Sequence, residues 1–228
     1  MTPEETPARD VESLIAVDDP AWPYLQKALA DSDAQTLPVD PEQGQRSLWN
    51  LQVTAASTMG AVALHTGGII ADHGWVRLYG GGSGQLPSIA EASGLCGSQP
   101  GATGALVIGH DVLGGQFAID GGALGVEPGE VCYFGPDTLT WDGLGGGYSA
   151  FLAAVLGGGL DVVFDSLRWP GWQEEVAALT PDQGILLYPP PSTVEGKDVS
   201  KVTRSVVPIG QLLGGNAMPE AGTNPGDD

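Results

Sequence analysis

His65, Asp72, His73, His110 and Asp111 are the residues of this chain best suited to chemistry, since they include all three of its histidines. Three imidazoles with a carboxylate form a donor set that zinc or a non-haem metal accepts, and an imidazole beside a carboxylate can serve as a general acid or base. The spacing matches no metal-ligand motif, however, and His73-Gly74 and His110-Asp111 are ordinary turn pairs, so no metal and no cofactor is expected. His110, Asp111, His65 and His73 stand as catalytic candidates with no reaction assigned, and the sequence leaves open whether the chain is an enzyme. Cys96 and Cys132 lack C-x-x-C spacing and a basic neighbour that would lower a thiol pKa. No G-x-S-x-G, Walker or H-E-x-x-H pattern occurs. The glycine run 143–147 precedes a helix and could turn backbone N–H groups toward an anion. It lacks the preceding strand of a βαβ unit and reads as a loop.

Arg168-Trp169-Pro170-Gly171-Trp172 concentrates two indoles and a guanidinium. Trp and Arg are enriched at the anchoring points of protein interfaces, which makes Arg168, Trp169 and Trp172 the candidate partner-binding residues. The competing reading is that the tryptophans plug the core where two helices meet.

Eight basic residues against 28 acidic ones give a net charge of −20. That charge repels nucleic-acid phosphates and anionic membrane surfaces, and neither is expected as a partner. It could steer a basic protein to the surface, although a chain made acidic merely for solubility would have the same composition. No apolar run approaches the roughly 20 residues that span a bilayer, and the acidic first ten residues lack the apolar core of a secretory signal. A cytoplasmic setting with reduced thiols is the expectation.

The elements that must position these residues centre on the stretch 104–156. Ala105 to Ile108, Gln116 to Asp120 and Val131 to Phe134 are short strand-like runs separated by Gly-rich turns, which favours an antiparallel meander. Phe151, Leu152, Val155 and Leu156 then recur at helical spacing. Before this unit, Asp19-Pro20 and Asp40-Pro41 open two helices, the first through about Ala30, the second with a stripe of Leu48, Leu51, Ala55 and Met59. Ala61 to His65 and Ile69 to Asp72 read as a hairpin across Thr66-Gly67-Gly68, and Trp75 to Tyr79 as a further strand. Gly80 to Gly84 reads as a connector or a flexible site loop. After the unit come a helix from Leu160 to Leu167, a short helix from Gln173 to Leu179, a last strand from Ile185 to Tyr188 and a helical turn within Val206 to Leu213. The expected architecture is α+β, a five- or six-stranded, mainly antiparallel sheet packed by helices from both ends of the chain. Residues 1–17 are expected to form an unstructured segment, 18–213 one domain, and 214–228 an acidic tail.

The segments LHTGGIIADHGWVRLYGGGS, VIGHDVLGGQFAIDGG, GEVCYFGPDTLTW and SLRWPGWQEE, within 18–213, resemble a bacterial family described only as domain of unknown function 2625. That resemblance implies no activity and no catalytic residues. The order strand, GG turn, strand, strand and YSAFL helix is similar to the SUKH superfamily, many of whose members are immunity proteins against polymorphic toxins. From this likeness and the acidic charge, the leading expectation is a non-enzymatic protein-binding module, immunity-type or regulatory, with a basic, toxin-like protein partner. The alternative is a small-molecule or metal-binding enzyme using the His65/His73/His110 region.

Overall fold

The computed structural model describes residues 8–96 and 103–214. Helix α1 (Val11–Ile15) opens on Asp10, whose carboxylate accepts the Ser13 N–H, and buries Leu14 completely. The Leu14 carbonyl also accepts the Ala55 N–H. The described part of segment 1–17 is therefore structured from residue 11, contrary to the reading of its charged, Pro-containing composition: a side-chain cap and one buried leucine suffice to dock a single turn. Residues 1–7, 97–102 and 215–228, which include the start of the expected unstructured segment and nearly all of the expected acidic tail, lie outside the described residues.

Helix α2 (Trp22–Ala30) buries Leu25 and Leu29, and α3 (Pro41–Leu51) is capped by the Asp40 carboxylate on the Glu42 and Gln43 N–H groups. Helix α3 stops at Gln52, whose backbone is left-handed with φ 51, short of the Ala55 and Met59 expected on its stripe. A new helix, α4 (Thr58–His65), starts where the Ser57 hydroxyl accepts the Gly60 N–H. The strand expected at Ala61 to His65 is thus helical. Its apolar run is buried from Gly60 to Ala63, and an unbroken apolar run does not distinguish a buried helix from a strand.

Seven strands follow one another in the sheet in chain order, each antiparallel to the next: β1 (Gln35–Leu37), β2 (Gly68–Ala71), β3 (Val76–Tyr79), β4 (Ala105–Asp111), β5 (Gln116–Asp120), β6 (Val131–Phe134) and β7 (Trp141–Gly143). The α+β class holds. The strand number exceeds the expected five or six because β1 and β7, three residues each, add an edge on either side. Helix α5 (Ile89–Ala92) carries a reciprocal cap between Ser88 and Glu91. Helix α6 (Tyr148–Leu156) leads to α7 (Asp161–Phe164), a 3-10 turn (Asp165–Leu167) and α8 (Trp172–Ala177). Strands β8 (Gln183–Tyr188) and β9 (Thr203–Pro208) form a separate antiparallel pair, so the helix expected within Val206 to Leu213 is confined to α9 (Gly210–Leu213).

Cross-strand register divides the sheet into two faces. Leu78, Gly109, Phe117 and Tyr133 form one row, and Phe117 packs on Phe151 of α6 and Phe164 of α7 at 5.1 and 6.3 Å. Arg77, His110, Gln116 and Phe134 form the other. The β8–β9 pair docks through the Ile185 N–H on the Val112 carbonyl and through Arg77, which donates to the Pro181 and Gln183 carbonyls. Of the run read as a connector or flexible site loop, Gly80, Gly81 and Gly82 are packed and Gly84 is open. A Cβ on Gly81 would lie 2.3 Å from the Ala63 carbonyl oxygen, so only glycine lets this chain pass the end of α4. No single helix among the described residues is long and apolar enough to cross a membrane.

Candidate functional site

The turn between β2 and β3 places Asp72 and His73 in succession in the left-handed region, φ 54 and 55, followed by Gly74 at φ 92. Asp and His tolerate that region better than most side chains, yet two in a row cost of order 1 kcal/mol or more each. One contact that holds the turn is an ion pair from the Asp72 carboxylate to Arg168. Arg168 leaves the 3-10 turn in extended conformation and also donates to Asp161 at 2.8 Å. Its guanidinium lies 4.2 Å from the ring centre of Trp172 and 5.2 Å from those of Trp75 and Phe164, an aromatic bracket that stabilises a cation. His73 meets the Trp172 ring edge-on at 5.7 Å.

Asp72, His73, Asp161, Arg168 and Trp172 wall an open cleft of about 800 Å³, to which Asp33 and Asp165 add two further carboxylates. Burial pushes the Asp72 carboxyl up, the Arg168 guanidinium pulls it down, and Asp161 adds to the rise; the net direction is upward. Asp161 is open to solvent, its side chain 73% exposed. The cleft therefore joins His73 from the first set of sequence candidates to Arg168 and Trp172 from the second. Trp169 is a different case. It is 2% exposed, its indole N–H donates to Glu175 at 2.7 Å, and Arg204 both pairs with Glu175 and covers its ring at 4.8 Å. Both tryptophans border the cleft, Trp169 as a core plug almost wholly buried and Trp172 as its half-buried wall.

His110 and Asp111 belong to β4, and their reading as an accessible turn is overturned: His110 is 1% exposed and Asp111 fully buried. The strand continues through both: Asp111 is fully paired from inside, and His110 is paired at one ring nitrogen while its buried Nε2 has no hydrogen-bond partner. His110 Nδ1 lies 2.8 Å from the Tyr79 hydroxyl. Asp111 accepts the Leu113 and Gly115 N–H groups at 2.7 and 2.9 Å and the Tyr133 hydroxyl. Burial, aided by the nearby Arg77 cation, depresses His110 to about 3, which keeps the imidazole neutral. Burial raises Asp111 against the pull of its hydrogen bonds. The pair closes the β4–β5 turn with both side chains buried from solvent among the described residues.

His65 is exposed and stacks on Trp22, ring centres 4.6 Å apart. The three histidines thus occupy three separate environments. Among the described residues no three His, Cys, Asp or Glu side chains are placed to hold a metal. Cys96 is exposed and Cys132 buried, both as free thiols. Sequence reasoning missed Asp33 and the buried Arg77. Asp-His-Gly after a strand is a turn signal for Asp72, but nothing local announces the contact with Arg168, 96 residues away.

A family profile described as "Protein of unknown function DUF2625" matches residues 11–212. The uncharacterised protein YbfG of Escherichia coli (strain K12) is 39% identical over 187 residues, 79% of this chain and 84% of that protein. An uncharacterized protein of Haemophilus influenzae (strain ATCC 51907 / DSM 11121 / KW20 / Rd) is 33% identical over 187 residues, 78% of this chain and 81% of that protein. No solved structure matches.

Proposed function

The chain belongs to the DUF2625 family, and because that membership carries no activity, we propose from its own residues that it is a non-enzymatic binding protein for a basic protein partner. The observation that carries this reading is the cleft in which Asp33, Asp72, Asp161 and Asp165 surround Arg168 and the half-buried Trp172. Four carboxylates against one guanidinium leave the cleft negative, and a net charge of −20 draws a cationic partner toward it. Arg168 is internally committed to Asp72, Asp161 and the aromatic bracket. The exposed Asp33 and Asp165, with the Asp161 oxygen not paired with Arg168, are the groups left to receive a partner's Lys or Arg, with the Trp172 ring as an apolar anchor beside them. Its immunity-type or regulatory character rests on the SUKH-like order of elements in the sequence, and a cytoplasmic setting suits the two free thiols.

The test is capture from a host lysate by the tagged full chain at low and high salt, with Trp172→Ala and an Asp161→Lys/Asp165→Lys double variant alongside. A basic protein should be retained at low salt, released at high salt, and lost from both variants. Recovery of the same proteins by wild type and variants would remove the cleft from the reading.

A further inference from the structure

A second cavity, of about 320 Å³, lies between α3 and α5 and shares no lining residue with the acidic cleft. Helix α3 faces it with Gln43, Ser47 and Asn50, positions i, i+4 and i+7, where an amphipathic helix turned toward its neighbour carries apolar side chains. Ser47 is 3% and Asn50 7% exposed, and neither the Ser47 hydroxyl nor the Asn50 carboxamide oxygen has a hydrogen-bond partner within the chain. An unpaired buried group loses its hydration with nothing in return, so α3 keeps two groups here that apolar side chains would replace with a gain in stability. Across the cavity, Ser88 and Glu91 are engaged in capping α5. Trp49 is half-buried in its wall, and the exposed Arg46 belongs to none of the ion pairs among the described residues.

We propose that this cavity binds a small planar molecule through an edge bearing an adjacent hydrogen-bond donor and acceptor, the chemistry shared by nucleobases and aromatic carboxamides. The Asn50 carboxamide is itself such a pair and is met by the same pattern reversed, as Asn meets the edge of adenine. The Ser47 hydroxyl, a donor and an acceptor, completes the lining at the next turn of the same face. The Trp49 indole offers a stacking surface, and Arg46 a fork for an acidic substituent on the ligand. The volume stands at the lower end of the roughly 300–1,000 Å³ range of ligand pockets, which suits one heterocycle and excludes a dinucleotide.

Calorimetric titration and thermal-shift measurements on the full chain with adenosine, guanosine, uridine, cytidine, their monophosphates, nicotinamide and glutamine test this. At least one ring compound should bind saturably, with its monophosphate tighter than the nucleoside if the ligand is a nucleobase, or nicotinamide alone if it is a carboxamide. Asn50→Ala should weaken that binding about tenfold or more while melting at or above the wild-type temperature. Arg46→Ala should weaken the monophosphate and leave the nucleoside unchanged. Failure of every ring compound to saturate, binding unaltered by Asn50→Ala, or saturation by glutamine alone would overturn the assignment. A melting temperature clearly lowered by Asn50→Ala would also count against it, because the carboxamide would then serve the fold.

Discussion

His110 should make the fold sensitive to mild acid, and the size of the effect follows from its burial. In the unfolded chain an imidazole titrates near 6.5; in the fold, burial and Arg77 depress it to about 3. The unfolded state therefore takes up a proton that the folded state refuses. The contribution is complete above pH 6.5 and is lost as pH falls toward 3, at about 1.4 kcal/mol per pH unit. Between pH 7.5 and 5.0 that amounts to about 2 kcal/mol. Asp111, raised by the same burial, works in the opposite sense: a carboxyl with a raised pKa gains relative stability as pH falls through it. The wild-type curve alone would mix the two. His110→Gln separates them, since it retains an acceptor for the Tyr79 hydroxyl and leaves Asp111 in place. Urea denaturation at both pH values should show the stability difference between wild type and His110→Gln shrinking by about 2 kcal/mol on going to pH 5.0. Parallel stability curves for the two proteins would refute a neutral, buried His110.

Asp111→Asn should cost about 3 kcal/mol in urea denaturation, because it weakens three buried hydrogen bonds to a charged acceptor; a loss under 1 kcal/mol would return Asp111 to an accessible turn. Arg168→Ala should cost about 2–4 kcal/mol, since it strands the Asp72 carboxylate and empties the aromatic bracket. Asp161→Asn, at a solvent-open ion pair, should cost under about 1 kcal/mol, and equal losses for the two would contradict the burial difference. Gly81→Ala should destabilise by about 1–3 kcal/mol through its clash with the Ala63 carbonyl, whereas Gly84→Ala meets open space and should be neutral, both read from thermal melts.

What the sequence disclosed and what it hid follow a physical line. The meander from β4 to β6 was legible because each strand is short, β-rich and fenced by glycine turns, so that the information is local. The N-terminal half of the sheet was less so. The apolar run of α4 has neither a polar face nor an alternating one, and the Ser57 cap that decides its helicity contributes a single hydrogen bond. Strand β9 escaped notice because its residues are mostly exposed and it is held by pairing with β8 instead of by burial. At β4 the polar pair His110-Asp111 looked like the end of a strand, since alternation scores a charged residue as outward-facing. Asp111 is inside because Leu113, Gly115 and Tyr133 all converge on its carboxylate, and two of those partners are glycine and a tyrosine from another strand.

The same limit governs the candidate site. Arg168 and Trp172 could be singled out by residue type, and His73 by being a histidine, but no local rule joins them. They meet because β2 ends in an Asp72-His73 turn of left-handed backbone that directs a carboxylate toward a guanidinium 96 residues later in the chain. That conformation is costly in isolation and is repaid by the ion pair and the ring contact it permits. If so, the turn and the bracket are one cooperative unit, so replacing Arg168 removes the contact that offsets the strain at Asp72. A basic partner of the kind proposed would then meet the Asp72 and Asp161 carboxylates already placed by Arg168, so that charge complementarity would add affinity with little further ordering cost.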